Sequence, residues 1–238
     1  ITTTNLTAID FDGRDKIAAS RTVAVTHTAW AAGSGTLLAG SVEVLDTTDW
    51  GTDYRAPVGA NILDATDHQM FEYTSLVIQA GPGGATVQID ADANGSFETT
   101  VNLIEGQSHF VNGGVNVGAR VLSNNPVQVD ILTGDIGSNY ESRDSALVPI
   151  DRWSTAAYTP VSTPSTAQSI AGTGTTVWLY NPGASALTVQ YTTRDGGGNL
   201  ITTPLSVPGG AAGGYLPQVI PDGYGARFTA PSTFFAFS

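Results

Sequence analysis

The chain has no cysteine. That excludes disulfides, thiolate nucleophiles and Cys-ligated zinc. Secreted eukaryotic domains often carry disulfides, so the absence leans towards a bacterial, archaeal or viral surface protein. Lysine is nearly absent too, with Lys16 alone among 9 basic residues. Against 21 acidic residues this leaves a formal net charge of −12. Binding of phosphate needs clustered Lys and Arg, so no nucleic-acid partner is expected. Charged residues make up 13% of the chain, about half the usual share. No apolar run approaches the ~18 residues that span a bilayer, so no transmembrane segment is expected. His27, His68 and His109 are widely spaced, without an HxH or HExxH pairing. No P-loop and no GxSxG elbow is present. Turns and solvation account for Asp49, Asp53, Asp135 and Glu141. No catalytic residue is therefore assigned, and the reading is not an enzyme.

The 238 residues are 41% hydrophobic, enough for two domains of about 100–120 residues or one large unit. The 28 Gly and 12 Pro are spread as turn punctuation. No stretch combines a helical period with caps. Short alternating strands with turn signals indicate an all-β sandwich or barrel. The chain begins at Ile1 rather than Met, which points to processing of a precursor or excision from a longer chain.

One stretch is written twice. Ser41 to Gly59 reads SVEVLDTTDWGTDYRAPVG, and Ser145 to Thr163 reads SALVPIDRWSTAAYTPVST. Trp50 answers Trp153, Tyr54 answers Tyr158, and Pro57-Val58 answers Pro160-Val161. Further copies follow in order. Ser75–Gln79 matches Thr176–Tyr180, and Thr86-Val87-Gln88 matches Thr188-Val189-Gln190. Leu103–Gly106 matches Leu205–Gly209. A third type of strand occurs as KIAASRTVAV, RVLSNNPVQV and RFTAPSTFFAF. The period is about one hundred residues, one ordinary β-domain length. It predicts two tandem β-sandwich domains of jelly-roll or Ig-like build, 1–117 and 118–238 in sequence with structural boundaries open to permutation, and linkers near 59–70 and 159–168. Val87, Ile89, Val127, Val129, Val177, Leu179 and Val189 are expected to face inward by period two.

The order of these motifs resembles bacterial surface repeats akin to the IgGFc-binding-protein N-terminal region. The motifs are the W–Y–PV segment, the hairpin from Asn181-Pro182 to Thr188-Val189-Gln190 and the LxxG turn. The resemblance covers most of the chain and implies β-rich extracellular modules without an established catalytic site. It carries no residues for immunoglobulin binding.

Three candidate sites remain. Asp90, Asp92 and Asn94 with Gly95 have the one-three-five spacing of a calcium loop, and Glu98 falls at position nine. Position twelve is Val101, so the bidentate carboxylate is missing. The turn is expected to be metal-free or to bind calcium weakly, and no cofactor is assigned. Trp50 and Trp153 read as packing residues, each lending one indole N–H to a partner. Trp30 and Trp178 lack counterparts and are the candidate platforms for a glycan. Finally, Thr2, Thr3, Thr4, Leu6, Ile9 and Phe11 form a Thr-rich arm that could complete a sheet in its own chain or a neighbour. The expected function is a structural protein of a cell or virion surface that self-assembles or joins other surface proteins. The alternatives are an adhesin or carbohydrate-binding module and a phage or virus capsid or appendage protein. The sequons at Asn5 and Asn94 carry little weight in a chain so rich in Thr and Ser.

Overall fold

The computed structural model describes residues 17–29, 40–62, 70–136, 143–161 and 175–238. The arm Thr2–Phe11, Trp30 and His68 lie outside them. The chain runs through β1 (Thr26–Ala29), β2 (Gly40–Glu43), β3 (Gly51–Arg55), β4 (Tyr73–Ala80), β5 (Ala85–Asp90), β6 (Thr99–Leu103), β7 (Ser108–Val111) and β8 (Arg120–Gly134). It continues through β9 (Arg143–Ala146), β10 (Ser154–Thr159), β11 (Thr175–Tyr180), β12 (Leu187–Arg194), β13 (Leu200–Val207), β14 (Tyr215–Ile220) and β15 (Ala226–Phe237). Two short 3-10 turns, Thr47–Asp49 and Ile150–Arg152, are the helical pieces among the described residues.

Alternation builds these strands. In β5, Ala85, Val87 and Ile89 are buried while Thr86 and Gln88 between them are half-buried. In β12, Leu187, Val189 and Tyr191 are buried while Thr188 and Gln190 are exposed. Successive side chains of a pleated strand point to opposite faces, so one face meets a core and the other meets water. All seven aliphatic residues expected to face inward are buried.

The strands form two curled antiparallel sheets and a separate two-stranded ribbon, β1 with β2. The larger sheet has the order β6-β5-β8-β4-β7, with β3 and β9 also on β8. The smaller has the order β13-β12-β15-β11-β14, with β10 also on β15. In each, one long strand serves two sets of partners. The first part of β8 pairs with β5 and β3, and its second part pairs with β4 and β9. The first part of β15 pairs with β12 and β10, and its end pairs with β11. Pro126 and Pro231 fall between those parts, where a missing ladder N–H does least harm.

The registers of the two sheets correspond, and they correct two matches read from the sequence. Tyr54 faces Val121, whereas the residue facing Phe228 is Ala157. Tyr158 faces Arg227 as Arg55 faces Arg120, so Tyr158 stands where Arg55 stands. Tyr54 is buried and donates from its hydroxyl to the Val127 carbonyl at 2.6 Å, while Tyr158 is exposed. Likewise Leu103 pairs with Ala85 and Val207 pairs with Leu187, so Val207 rather than Leu205 takes the place of Leu103. β8, residues 120–134, is the central strand of the first sheet.

Two cores result. One is built on Leu76, Ile78, Val87, Ile89, Val127 and Val129, and the other on Val177, Leu179, Val189, Val207 and Phe228. Trp153, Trp178 and Tyr180 belong to the first core although Trp178 and Tyr180 lie on a strand of the second sheet. The face of β11 that looks away from its own core is thus packed against the first sheet.

Candidate functional site

The part that repeats most closely is a joint: a two-strand ribbon, a 3-10 turn and a tryptophan. In the ribbon of β8 and β9, Asp130 pairs with Ala146 and Thr133 with Arg143. In the ribbon of β1 and β2, Thr26 pairs with Glu43 and Ala29 with Gly40. Just beyond each ladder one further backbone bond forms, Leu147 N–H to Val129 at 2.8 Å and Val44 N–H to Val25 at 2.9 Å. Each 3-10 turn is flanked by extended residues, Asp46 and Trp50 in one case and Pro149 and Trp153 in the other. Each indole N–H then donates to the carbonyl five residues before it. Trp50 reaches Leu45 at 3.1 Å and Trp153 reaches Val148 at 2.9 Å. The indole pins the turn to the strand that feeds it, which is the packing role expected of both residues.

The two tryptophans differ in what they cover. Trp153 lies edge-on to Tyr180 at 5.8 Å and tilted against Phe235 at 5.2 Å. Trp50 is half-buried and lies over Gly81, where an added Cβ would come within 3.3 Å of the ring. The joints also touch one another. Arg152 of the second turn pairs with Asp49 of the first and donates to the Thr48 carbonyl at 2.6 Å.

The second sheet docks on the first through the outward face of β11 and β14. Trp178 meets Phe71 edge-on at 5.1 Å and Tyr215 at 5.9 Å. It is 7% exposed, so the expectation of an open glycan platform at Trp178 is corrected: a stacked sugar would need the ring face that this core occupies. The β13–β14 turn continues the contact. Asn61 donates to the Ala212 carbonyl at 3.1 Å, and its side-chain oxygen accepts from Val117 N–H at 2.8 Å. Gly118 has φ of 85° and leaves no room for a side chain, since a Cβ would sit 2.1 Å from the Ala211 oxygen.

The Asp90–Glu98 turn brings three carboxylates together. Ligand oxygens of Asp90, Asp92 and Glu98 lie within 4.8 Å of one another. Both oxygens of buried Asp90 accept backbone N–H groups, from Asn94 at 3.1 Å and Gly95 at 3.0 Å. Asp92 accepts from the Asn94 backbone and amide, and the Asn94 side-chain oxygen accepts from Ser96. Glu98 accepts from Ala91. The turn is therefore held by an Asx network of its own. Its oxygens are of the type that suits a hard cation such as calcium, with Glu98 in place of Asn94 as the third convergent group.

A second acidic pair was not singled out in the sequence. Asp130 on β8 and Asp144 on β9 share the outward face of the first sheet, diagonal across the ladder. Burial pushes the Asp130 carboxyl up to about 7, reinforced by the negative charge of Asp144 and opposed by a Gln128 amide bond at 3.2 Å. Asp144 is raised too, chiefly by burial, with His27 of β1 acting the other way. Side-chain oxygens of Ser75, Gln128 and Asp144 on the same face are buried without a hydrogen-bond partner among the described residues. The Gln128-Val129-Asp130-Ile131 alternation marks Asp130 as outward-facing. That β9 would then pair beside it and bring Asp144 onto the same face is a long-range fact without a local signal.

No protein-family model, no curated protein and no solved structure matches this chain.

Proposed function

We propose that the protein is a non-enzymatic structural module of a cell or virion surface, built from two copies of one β-sandwich unit that stack end to end. On this reading it assembles with further copies of itself, as a subunit of a filament, layer or appendage. The observation that carries the proposal is the joint. Its ladder register, extra backbone bond, 3-10 turn and indole bond recur at β1–β2 and β8–β9. A connection reproduced in such detail is the mark of a stacking device. The resemblance to bacterial surface repeats supports the same reading, as does a charge-poor, cysteine-free composition. The glycan-binding alternative loses support with Trp178 in the core. Sedimentation velocity across a concentration series, with negative-stain microscopy of the densest sample, tests the proposal. Mass that rises with concentration and ordered particles are expected. A monomer at every concentration, to the limit of solubility, would sink it.

A further inference from the structure

We propose that the outward face of the second sheet, at Arg227 and Tyr158, binds a carboxylate-bearing sugar of an acidic glycan. The site is distinct from Trp178, which the core covers. It goes beyond self-assembly and does not depend on it.

The two sheets serve as controls for one another. In the first, Arg120 donates to Asp53 from Nε at 2.9 Å and from Nη2 at 2.7 Å. Asp90 on β5 pairs with Arg120 from the other side. The Asp53 bonds hold the Arg120 guanidinium above its ordinary value, and the Asp90 charge adds to them. Two carboxylates thus answer that arginine. By register Arg227 stands where Arg120 stands, because Phe228 stands where Val121 stands. Ala156 then takes the place of Asp53, and Thr192 takes that of Asp90. The guanidinium is kept and both carboxylates are gone. Arg227 is exposed, and among the described residues it makes no ion pair and no hydrogen bond. The contact it does make is with the Tyr158 ring, whose centroid lies 6.0 Å from the guanidinium carbon.

Tyr158 is 72% exposed and stands where Arg55 stands. Arg55 donates to the Gly118 carbonyl at 2.8 Å. Tyrosine at that position puts an aromatic ring in water beside a cation. The row continues across the sheet. Tyr158 on β10 faces Arg227 on β15, Arg227 faces Thr192 on β12, and Thr192 faces Thr202 on β13. Adjacent strands lie about 4.8 Å apart, so the row covers about 14 Å, roughly the length of three linked pyranoses. The Thr192 and Thr202 hydroxyls bond one another at 3.0 Å and keep lone pairs for a ligand.

These groups suit one chemistry. An aromatic ring packs on the C–H face of a sugar, and a guanidinium takes a carboxylate in fork geometry. The threonine hydroxyls meet those of the sugar. The chain as a whole carries −12, which repels a dense polyanion such as a nucleic acid. A single open guanidinium fits a ligand with one carboxylate on a ring.

The test titrates the full chain by calorimetry with trigalacturonate and with a hyaluronan tetrasaccharide, two uronates of different ring stereochemistry. The methyl ester of the first and triglutamate are the controls. Saturable binding of a uronate, and of neither control, is expected. Arg227→Gln should weaken it about tenfold or more, the scale of losing a charge-assisted hydrogen bond. Tyr158→Ala should weaken it about fivefold through loss of the ring. Both side chains are exposed, so melting temperatures equal to wild type are expected and are checked first. Ala156→Asp removes no group from the site. It restores the carboxylate that Asp53 supplies in the first sheet, and it should weaken binding as Arg227→Gln does without lowering the melting temperature. Undiminished binding by Arg227→Gln or Ala156→Asp overturns the proposal. So does equal binding of the methyl ester or of triglutamate, or a failure of both uronates to bind. None of these outcomes bears on self-assembly, which sedimentation reads separately.

Discussion

At the scale of single residues, Asp130 makes the sharpest prediction. Its folded value of about 7 lies above the ordinary 3.8. The native state therefore keeps a proton that the unfolded chain releases between roughly pH 4 and pH 7. The fold has its full stability below that window and loses part of it as pH rises through it. At about 1.4 kcal/mol per unit, the loss is on the order of a few kcal/mol. Asp130→Asn keeps the acceptor for Gln128 and removes the charge. It should raise the melting temperature at pH 8 by several degrees and flatten the profile between pH 4 and pH 7. An unchanged profile, followed by calorimetry, would show that Asp130 does not carry the effect. The tryptophans give a second comparison. Trp153→Ala opens a cavity in the shared core and should cost roughly 3–5 kcal/mol in urea unfolding. Trp50→Ala removes a half-buried ring and should cost less than half of that. The sequence identified both indoles as packing residues because both copies keep them. It misplaced Tyr158 by one residue because a short motif with a one-residue slip still reads as a match. In a strand that slip turns a core hydroxyl into a solvent-exposed one.

At the scale of elements, inward valines and glycine turns were legible because period two and positive φ are local properties. The double role of β8 and β15 was not. Each reads as one strand motif, and only the partners show that it serves two sets of strands. The Asp90–Glu98 turn was legible as an Asx-rich loop, and the approach of Glu98 had to come from the fold. Its backbone bonds already satisfy Asp90 on both oxygens. Calorimetric titration with calcium should accordingly give a dissociation constant near or above about a millimolar, at the weak end for such sites. A micromolar constant, abolished by Glu98→Gln, would reverse that expectation. Gly118 tests the docking of the sheets. Gly118→Ala places a methyl in a left-handed residue, at a cost of roughly 1–2 kcal/mol before any clash. It also drives that methyl into the Ala211 carbonyl. Hydrogen exchange should speed up in the β13–β14 turn, while the ladder between β4 and the second part of β8 stays protected.

At the scale of the molecule, the decisive comparison is between Val58 and Val161. Val58→Asp buries a charge in the shared core and should unfold the first sheet or cost several kcal/mol. Val161→Asp, at an exposed position, should leave stability within about 0.5 kcal/mol. The same change at matched positions thus separates a sealed site from an exposed one, read by thermal melts of both variants. The strand and turn pattern in the sequence was enough to anticipate an all-β chain. It could not say which ends are covered, because coverage is decided by contacts between segments distant along the chain.

The pairing of Asp49 with Arg152 bears on how such a chain avoids tangling with itself. The two residues occupy matched places in the two turns and carry opposite signs. Similar units in one chain can exchange strands while folding, each accepting the other's pieces. Were both turns acidic or both basic, their meeting would be repulsive, and no order would be preferred. Opposite charge at the two turns makes their meeting attractive in one pairing only, Asp49 with Arg152.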